Sequence, residues 1–315
     1  MKSWNSAMNL RQDAESVLRK LKSSFYVSEG GRRTEFYEWA SWRAFYTLAS
    51  PYLRPHRMLE VRLGRFRLPD FLIIGAERGG TTSLYVYMTS EPNIVAALRK
   101  EIDFFDQKYQ KGWTWYLAHF PMHDRNVTQT GEASPAYIFF PEAPVRVANR
   151  LPDTKIIVLL RNPIDRAFSH YQHELRLGYE SLSFQNALRR EIITDNEGTW
   201  KLRDLREKGI FQYVHFSYLA KGLYVNQLKR WMMGFPRERF LIVRSERFFN
   251  DPGRVLSEVL DFLGLPPTDR RTFPKYNEGS YRPLDEDTTS RLRRFYAPYN
   301  EELSRFLSMD FSDWQ

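Results

Sequence analysis

The chain has 315 residues, enough for one large α/β domain or two small ones. Its 42% apolar and 16% aromatic content can fill a core, and 47 Lys and Arg against 38 Asp and Glu give a net +9. That charge points to an anionic partner such as a nucleotide, an acidic glycan, nucleic acid or a membrane surface, while the lack of cysteine excludes disulfides, thiolate catalysis and Cys-ligated zinc.

The opening MKSWNSAMNLRQDAESVLRK has no apolar h-region, so no secretory leader is expected. No run approaches the roughly 18 apolar residues needed to span a bilayer. A soluble, cytoplasmic protein is expected. Leu10, Val17, Leu18, Leu21 and Phe25 fall near a helical period, and Trp39, Trp42 and Tyr46 share another helix face. Residues 1–67 are therefore read as a helical N-terminal extension packed on the core, and 68–315 as the main domain. RPHRMLEVRLGRFRLPD carries five arginines between 54 and 67 against one glutamate. It reads as a solvated basic connector, or alternatively as a surface for membrane headgroups or an acidic substrate.

From residue 68 the rhythm becomes strand, loop, helix. FLIIG (71–75) is a short apolar strand and TTSLYVYMTS (81–90) a helix. VTQTGE (127–132), KIIVLL (155–160) and RFLIV (239–243) read as further strands. Pro163 starts a helix after KIIVLL, and DPGRVLSEVLDFLGL (251–265) is a helix closed by Gly264 and Pro266. This alternation predicts an α/β, P-loop-NTPase-like three-layer fold, with a central, mostly parallel sheet flanked by helices. Ligands in such folds lie beyond the carboxyl ends of the strands.

The loop after the first strand reads GAERGGTTSL (75–84). It approaches the pattern G-x-x-x-x-G-K-[ST], with Gly75, Gly80 and Thr82 in place, but Thr81 stands where the lysine belongs and Arg78 is the nearest cation. Backbone N–H groups and a helix dipole there favour an anion. Gly79 and Gly80 allow close backbone approach, and Thr81, Thr82 and Ser83 add hydroxyl donors. KIIVLL ends in Arg161-Asn162, a cation where an ATPase would place a metal-binding acid. A phosphate-bearing donor handled without metal is expected. Arg161 can fork onto a phosphate, and Ser169 can reach the same group from the next helix. Asp165 and Arg166 read as a surface pair at the helix start. In KEIDFFD (100–106), Glu101 lies among Ile102, Phe104 and Phe105. It is either a helix-start glutamate beside a surface Lys100, or a partly desolvated carboxylate suited to act as a base.

The loop, KEIDFFD and LRNPIDRAFSHYQHE together resemble the PAPS-dependent sulfotransferases, in the carbohydrate branch that includes the heparan sulfate enzymes and soluble bacterial relatives. GEASPAYIFFP (131–141), GLYVNQLKRWMMGFPRERFLIVRSERFFNDP (222–252) and YNEGSYRPLDEDTTSRLRRFYAPYNEELSRFL (276–307) extend the resemblance in the same order. The resemblance implies sulfuryl transfer from PAPS to a hydroxyl or amine, releasing adenosine 3′,5′-bisphosphate. It puts the 5′-phosphosulfate at 75–83, the 3′-phosphate at Arg161 and Ser169, and the base at Glu101. It matches His173 to a histidine of the N-sulfotransferases, gives His170 no role, and brings Tyr281 and Arg282 to the nucleotide from the closing loop. Two departures stand out: Arg78 replaces a lysine, and Glu278-Gly279-Ser280-Tyr281-Arg282-Pro283 replaces the heparan pattern K-G-R-x-H-P. Glycan or glycolipid acceptors are implied, and Trp200, Phe211, Tyr213, Phe216 and Tyr218 are expected to face them. No nucleic-acid motif is present. The competing readings are a P-loop kinase of a small metabolite, which requires Mg²⁺ and ATP, and a non-catalytic binder of acidic glycan or membrane, which requires steep salt dependence.

Overall fold

The computed structural model describes residues 55, 57–121, 129–195, 199–270, 272–274 and 283–314. Contacts divide the chain at Pro51/Tyr52, and every described residue belongs to Tyr52–Gln315. The expected N-terminal helices before residue 52 lie outside the described residues, as do Tyr281 and Arg282.

Five strands form one parallel sheet: β1 (Phe71–Gly75), β2 (Ile94–Ala96), β3 (Gln129–Ala133), β4 (Lys155–Leu160) and a later strand, Phe240–Arg244, in the order β2-β3-β1-β4 and then that strand. β1 and β4 are near-continuous apolar runs because both faces are covered. Leu72, Ile74, Ile156, Val158 and Leu160 enter one core cluster, while Phe71, Ile73, Ile157 and Leu159 enter the other. Alternate side chains of one strand thus build the two layers, as a period of two requires.

The helices follow from their ends. α1 (Thr81–Thr89) starts at Gly80. The short α2 (Trp113–Leu117) and α3 (Ala143–Arg150) follow. α4 (Pro163–Leu177) has Pro163 in its first turn, Asn162 Oδ1 accepting from Ile164 N–H, and Gly178 as a left-handed stop. After α5 (Phe184–Leu188), β5 (Ile192–Thr194) and β6 (Trp200–Leu202) make a small antiparallel pair. Then come α6 (Ile210–Phe216), α7 (Tyr224–Met232) and the fifth strand of the sheet, β7 (Phe240–Arg244). α8 (Ser245–Asn250) and α9 (Pro252–Leu263) follow, and α9 is capped by Asp251 and closed by Gly264. α10 (Glu286–Leu307) comes last.

The expected α/β fold stands. β7 begins one residue later than RFLIV predicts, because Arg237–Arg239 form a 3₁₀ turn. In the basic segment, Arg57 donates to Phe120 O at 3.1 Å, Arg65 to Glu60 at 3.2 Å and Arg67 to Asp70 at 3.3 Å. Those three arginines make contacts within the chain. Among the described residues no helix is long and apolar enough to cross a membrane.

Candidate active site

The loops after β1 and β4 meet because those strands are neighbours with parallel ends. Ala76 N–H donates to Leu159 O at 2.7 Å, and Gly79 N–H turns back to Ala76 O at 3.0 Å. Ser245, at the start of α8, donates its hydroxyl to Gly79 O at 2.7 Å. A Cβ on Gly79 would lie 2.8 Å from Leu159 O, so glycine is required there by close backbone approach. Gly80 takes φ 94° and opens α1, whose first turn holds no acidic residue. The N–H groups of that first turn and the positive dipole end make an anion seat. Thr81 and Ser83 are buried and Thr82 is half-buried.

Arg78, at φ 67°, leaves the loop toward α4. Its Nε donates to Ser169 Oγ at 3.2 Å, and its carbonyl accepts from Arg161 Nη1 at 3.2 Å. The structure therefore joins Arg78 to Arg161 and Ser169, the pair that sequence reasoning places together on one phosphate. Tyr224 donates to Arg161 O at 2.8 Å and Glu246 accepts from Asn162 N–H at 2.7 Å, which fixes the β4 end. His173 lies one turn past Ser169. Burial first, then the positive charge of Arg78, lowers its pKa, which keeps the ring neutral near pH 7.

Glu101 belongs to the neighbouring loop. Its N–H donates to Ala133 O at 3.0 Å, tying it to the carboxyl end of β3, beside β1. The structure leaves Glu101 more exposed than its partly desolvated reading asks. Ile102, Phe104 and Phe105 are at most 1% exposed, but the Glu101 side chain is 49% exposed and pairs with Lys100 at 2.5 Å. The reason is the backbone: Glu101 and Asp103 take φ 61° and 56°, which turns the carboxylate outward while its neighbours enter the core. Lys100, read as a surface residue, is only 14% exposed. Among the described residues, the non-glycine residues at positive φ are Arg78, Glu101, Asp103 and Ser308. Three of the four sit in these two loops, where strained backbone is a mark of function.

Two networks escaped sequence reasoning. Glu77, inside the anion loop, holds Lys221 Nζ at 2.5 Å, and that ammonium also donates to Val214 O at 2.6 Å. His170 is fully buried, with Nε2 3.3 Å from Glu174 and 3.9 Å from Glu77. His215 Nδ1 closes the cluster at 2.9 Å from Glu174. Burial, then the charge on Lys221, pushes the His170 pKa down to about 4. Burial alone would raise Glu77, but Lys221 and then His170 hold it well below the usual carboxylate range. One atom from each of Glu77, His170 and Glu174 lies within 4.8 Å of the others, a spacing a cation can use, although Lys221 already compensates Glu77. His170 is thus the centre of a buried network. Arg166 is fully buried and donates to Tyr218 O, so it is not half of a surface pair with the exposed Asp165. The second network surrounds Glu132 on β3, which is buried and accepts from Tyr116 at 2.8 Å, Ser134 at 2.7 Å and Tyr137 at 3.1 Å. The spacing of Glu132, Ser134 and Tyr137 in GEASPAY was the available signal.

Of the aromatics expected to face an acceptor, Tyr213, Phe216 and Tyr218 are buried in the core at 6%, 4% and 0% exposure. Phe211 is 46% exposed and stacks edge-on with Tyr179. Trp200 is half-buried against Phe295.

Residues 68–298 match the family model described as Sulfotransferase domain. The chain belongs to the sulfotransferase family. The chain is 32% identical to heparan sulfate glucosamine 3-O-sulfotransferase 6 of Mus musculus, over 85% of this chain and 83% of that protein. It is 33% identical to heparan sulfate glucosamine 3-O-sulfotransferase 3B1 of Homo sapiens, over 79% of this chain and 65% of that protein. It is 31% identical to the Homo sapiens bifunctional heparan sulfate N-deacetylase/N-sulfotransferase 3, over 76% of this chain but only 30% of that longer protein. A sulfotransferase from Alicyclobacillus acidocaldarius has the same fold, with a TM-score of 0.65 and 31% identity, over 79% of this chain and 99% of that one. The protein is a sulfotransferase of the carbohydrate branch, and PAPS is the donor that membership implies.

Proposed function

We propose that the sulfotransferase moves the sulfuryl group of PAPS to a hydroxyl or amine of a carbohydrate or glycolipid acceptor by in-line displacement. The observation that carries this reading is the convergence of Arg78, Arg161 and Ser169 beside the start of α1. Two fixed guanidinium groups, a hydroxyl and the first-turn amides of a helix suit a ligand with two separate phosphoryl ends. Arg161 and Ser169 take the 3′-phosphate. The 79–83 turn and Arg78 take the phosphosulfate. Holding both ends fixes the donor's register before reaction.

Glu101 takes the acceptor proton. As the acceptor oxygen or nitrogen bonds to sulfur, the bond from sulfur to the bridging phosphate oxygen breaks, and the electron pair leaves with adenosine 3′,5′-bisphosphate. Arg78 and the turn amides meet the charge gathering on the leaving phosphate. The open position of Glu101 suits an acceptor arriving from solvent, and its contact with Lys100 gives way to the acceptor group. His173, one turn past Ser169 on α4, feels the charge of Arg78 and is the second candidate to act on the acceptor. Since the named relatives act on heparan sulfate glucosamine, glucosamine-containing glycans head the acceptor panel. Sulfate transfer from labelled PAPS is measured across that panel with wild type, R78A and E101Q. Near-wild-type turnover of E101Q on a confirmed acceptor would remove Glu101 as base. Calorimetric titration with adenosine 3′,5′-bisphosphate against ATP tests the donor, and preference for ATP would sink the reading.

A further inference from the structure

We infer that Glu132 is a positioning residue for Glu101: its buried carboxylate orients two hydroxyl relays that hold the Glu101 loop in its left-handed conformation. The inference rests on reading Glu101 as the base, and it assigns work to a residue that touches neither donor nor acceptor.

The three hydrogen-bond partners of Glu132 are all hydroxyls. Each hydroxyl has one proton, and an ionised carboxylate only accepts. Ser134 and Tyr137 therefore commit their protons to Glu132 and turn lone pairs toward the backbone. Ser134 Oγ accepts from Asp103 N–H at 3.2 Å, and Tyr137 OH accepts from Phe104 N–H at 2.8 Å. With Glu101 N–H on Ala133 O at 3.0 Å, three backbone bonds fix consecutive turns of the 101–104 segment. Glu101 and Asp103 sit there at φ 61° and 56°, conformations that persist only where the surroundings over-determine them. Holding them is what sends Ile102 and Phe104 inward and Glu101 outward.

The polarity of the relay depends on the carboxylate. Protonated Glu132, or a glutamine, must itself donate, and one hydroxyl proton then loses its acceptor in a fully buried site. Burial pushes the Glu132 carboxyl up to about 7. The titratable groups around it are Tyr116 from α2, Tyr137 from the segment after β3, and Asp103 from the 101–106 loop. Assays therefore belong at about pH 8, where Glu132 is ionised.

The test uses E132Q and, as a milder change that keeps the packing, Y137F. For E132Q, kcat for sulfuryl transfer is expected to fall on the order of 10- to 100-fold, the scale of a small misplacement of a reacting group. KM for PAPS and affinity for adenosine 3′,5′-bisphosphate stay within about twofold. Y137F, which removes one arm of the relay, loses on the order of three- to tenfold in kcat. Hydrogen–deuterium exchange at the Asp103 and Phe104 amides is faster in both variants. Added to E101Q, E132Q costs little more, because both changes act on one group. Unchanged exchange at those two amides, or losses that multiply in the double variant, would overturn the proposal. Active E101Q would instead remove the base reading, and the amide exchange of E132Q and Y137F still decides whether Glu132 holds the loop.

Discussion

Replacing Lys221 with methionine strips the compensating charge from the anion loop without emptying its space. The pair it breaks is well defined: Nζ lies 2.5 Å from Glu77, with the lysine side chain 4% and the glutamate side chain 25% exposed. Breaking a fully buried pair costs about 3–5 kcal/mol. A quarter-open carboxylate recovers some hydration, so about 2–3 kcal/mol is expected at pH 7. The sign with pH follows from Glu77. Its folded pKa is held below the ordinary 4.5, so the wild-type pair contributes fully above about 4.5 and less as pH falls toward the lowered value. In K221M burial is opposed only by the weaker effects of His170 and Arg166, so the Glu77 pKa rises from its wild-type position, the variant is penalised most at neutral pH and the gap to wild type narrows in acid. An unpaired carboxylate one residue from Arg78 also opposes an incoming phosphate. Affinity for adenosine 3′,5′-bisphosphate should fall roughly tenfold, about 1.4 kcal/mol. Urea unfolding at pH 7 and pH 4, with calorimetric titration, measures both effects for K221M and E77Q/K221M. The double variant, in which neither member of the pair is left charged without the other, should recover most of the stability and affinity. If both variants lose equally, or the gap ignores pH, the compensation argument is wrong.

Other outcomes follow from single contacts. G79A should destabilise more than G80A: its Cβ meets the backbone Leu159 O at 2.8 Å, whereas that of Gly80 meets the ring of the 42%-exposed Phe249 at 2.9 Å and adds positive-φ strain of about 1–2 kcal/mol. Thermal unfolding ranks the two. S169A should weaken adenosine 3′,5′-bisphosphate binding about fivefold, the loss of one hydrogen bond of about 1 kcal/mol, by releasing the Arg78 side chain; unchanged affinity would separate Ser169 from the donor site. Glu191 is fully buried on the N–H groups of Leu219 and Ala220, and burial raises its pKa to about 7. A raised carboxyl binds its proton more tightly folded than unfolded, so its contribution is fully present below about 4.5 and is lost as pH rises through about 7. Stability measured from pH 5 to 7 should decline less steeply in E191Q than in wild type.

How far each residue was legible depended on how local its cause is. β1 and β4 could be read because burial on both faces leaves uninterrupted apolar runs, and α4 and α9 because Pro163, Asp251 and Gly264 are local signals at helix ends. β2, β5 and β6 are three residues each, too short for a period to show, and they exist through pairing. The anion loop was legible since its glycines follow a strand directly. Arg166 was misread because its acceptor, Tyr218 O, lies 52 residues away. The Glu77 cluster draws on the β1 loop, α4, α6 and Lys221, so no single stretch announces it. Glu101 shows the limit most sharply. Its apolar neighbours argue for burial, and that inference holds for them, but two left-handed residues reverse it for the carboxylate itself. Ser134 and Tyr137 of GEASPAY, some thirty residues on, accept from the Asp103 and Phe104 amides and hold those conformations, so the exposure of the Glu101 carboxylate is set from another segment. The chemistry of this site is therefore written in one segment and its geometry in another, and a substitution in GEASPAY should be read first as a change to Glu101.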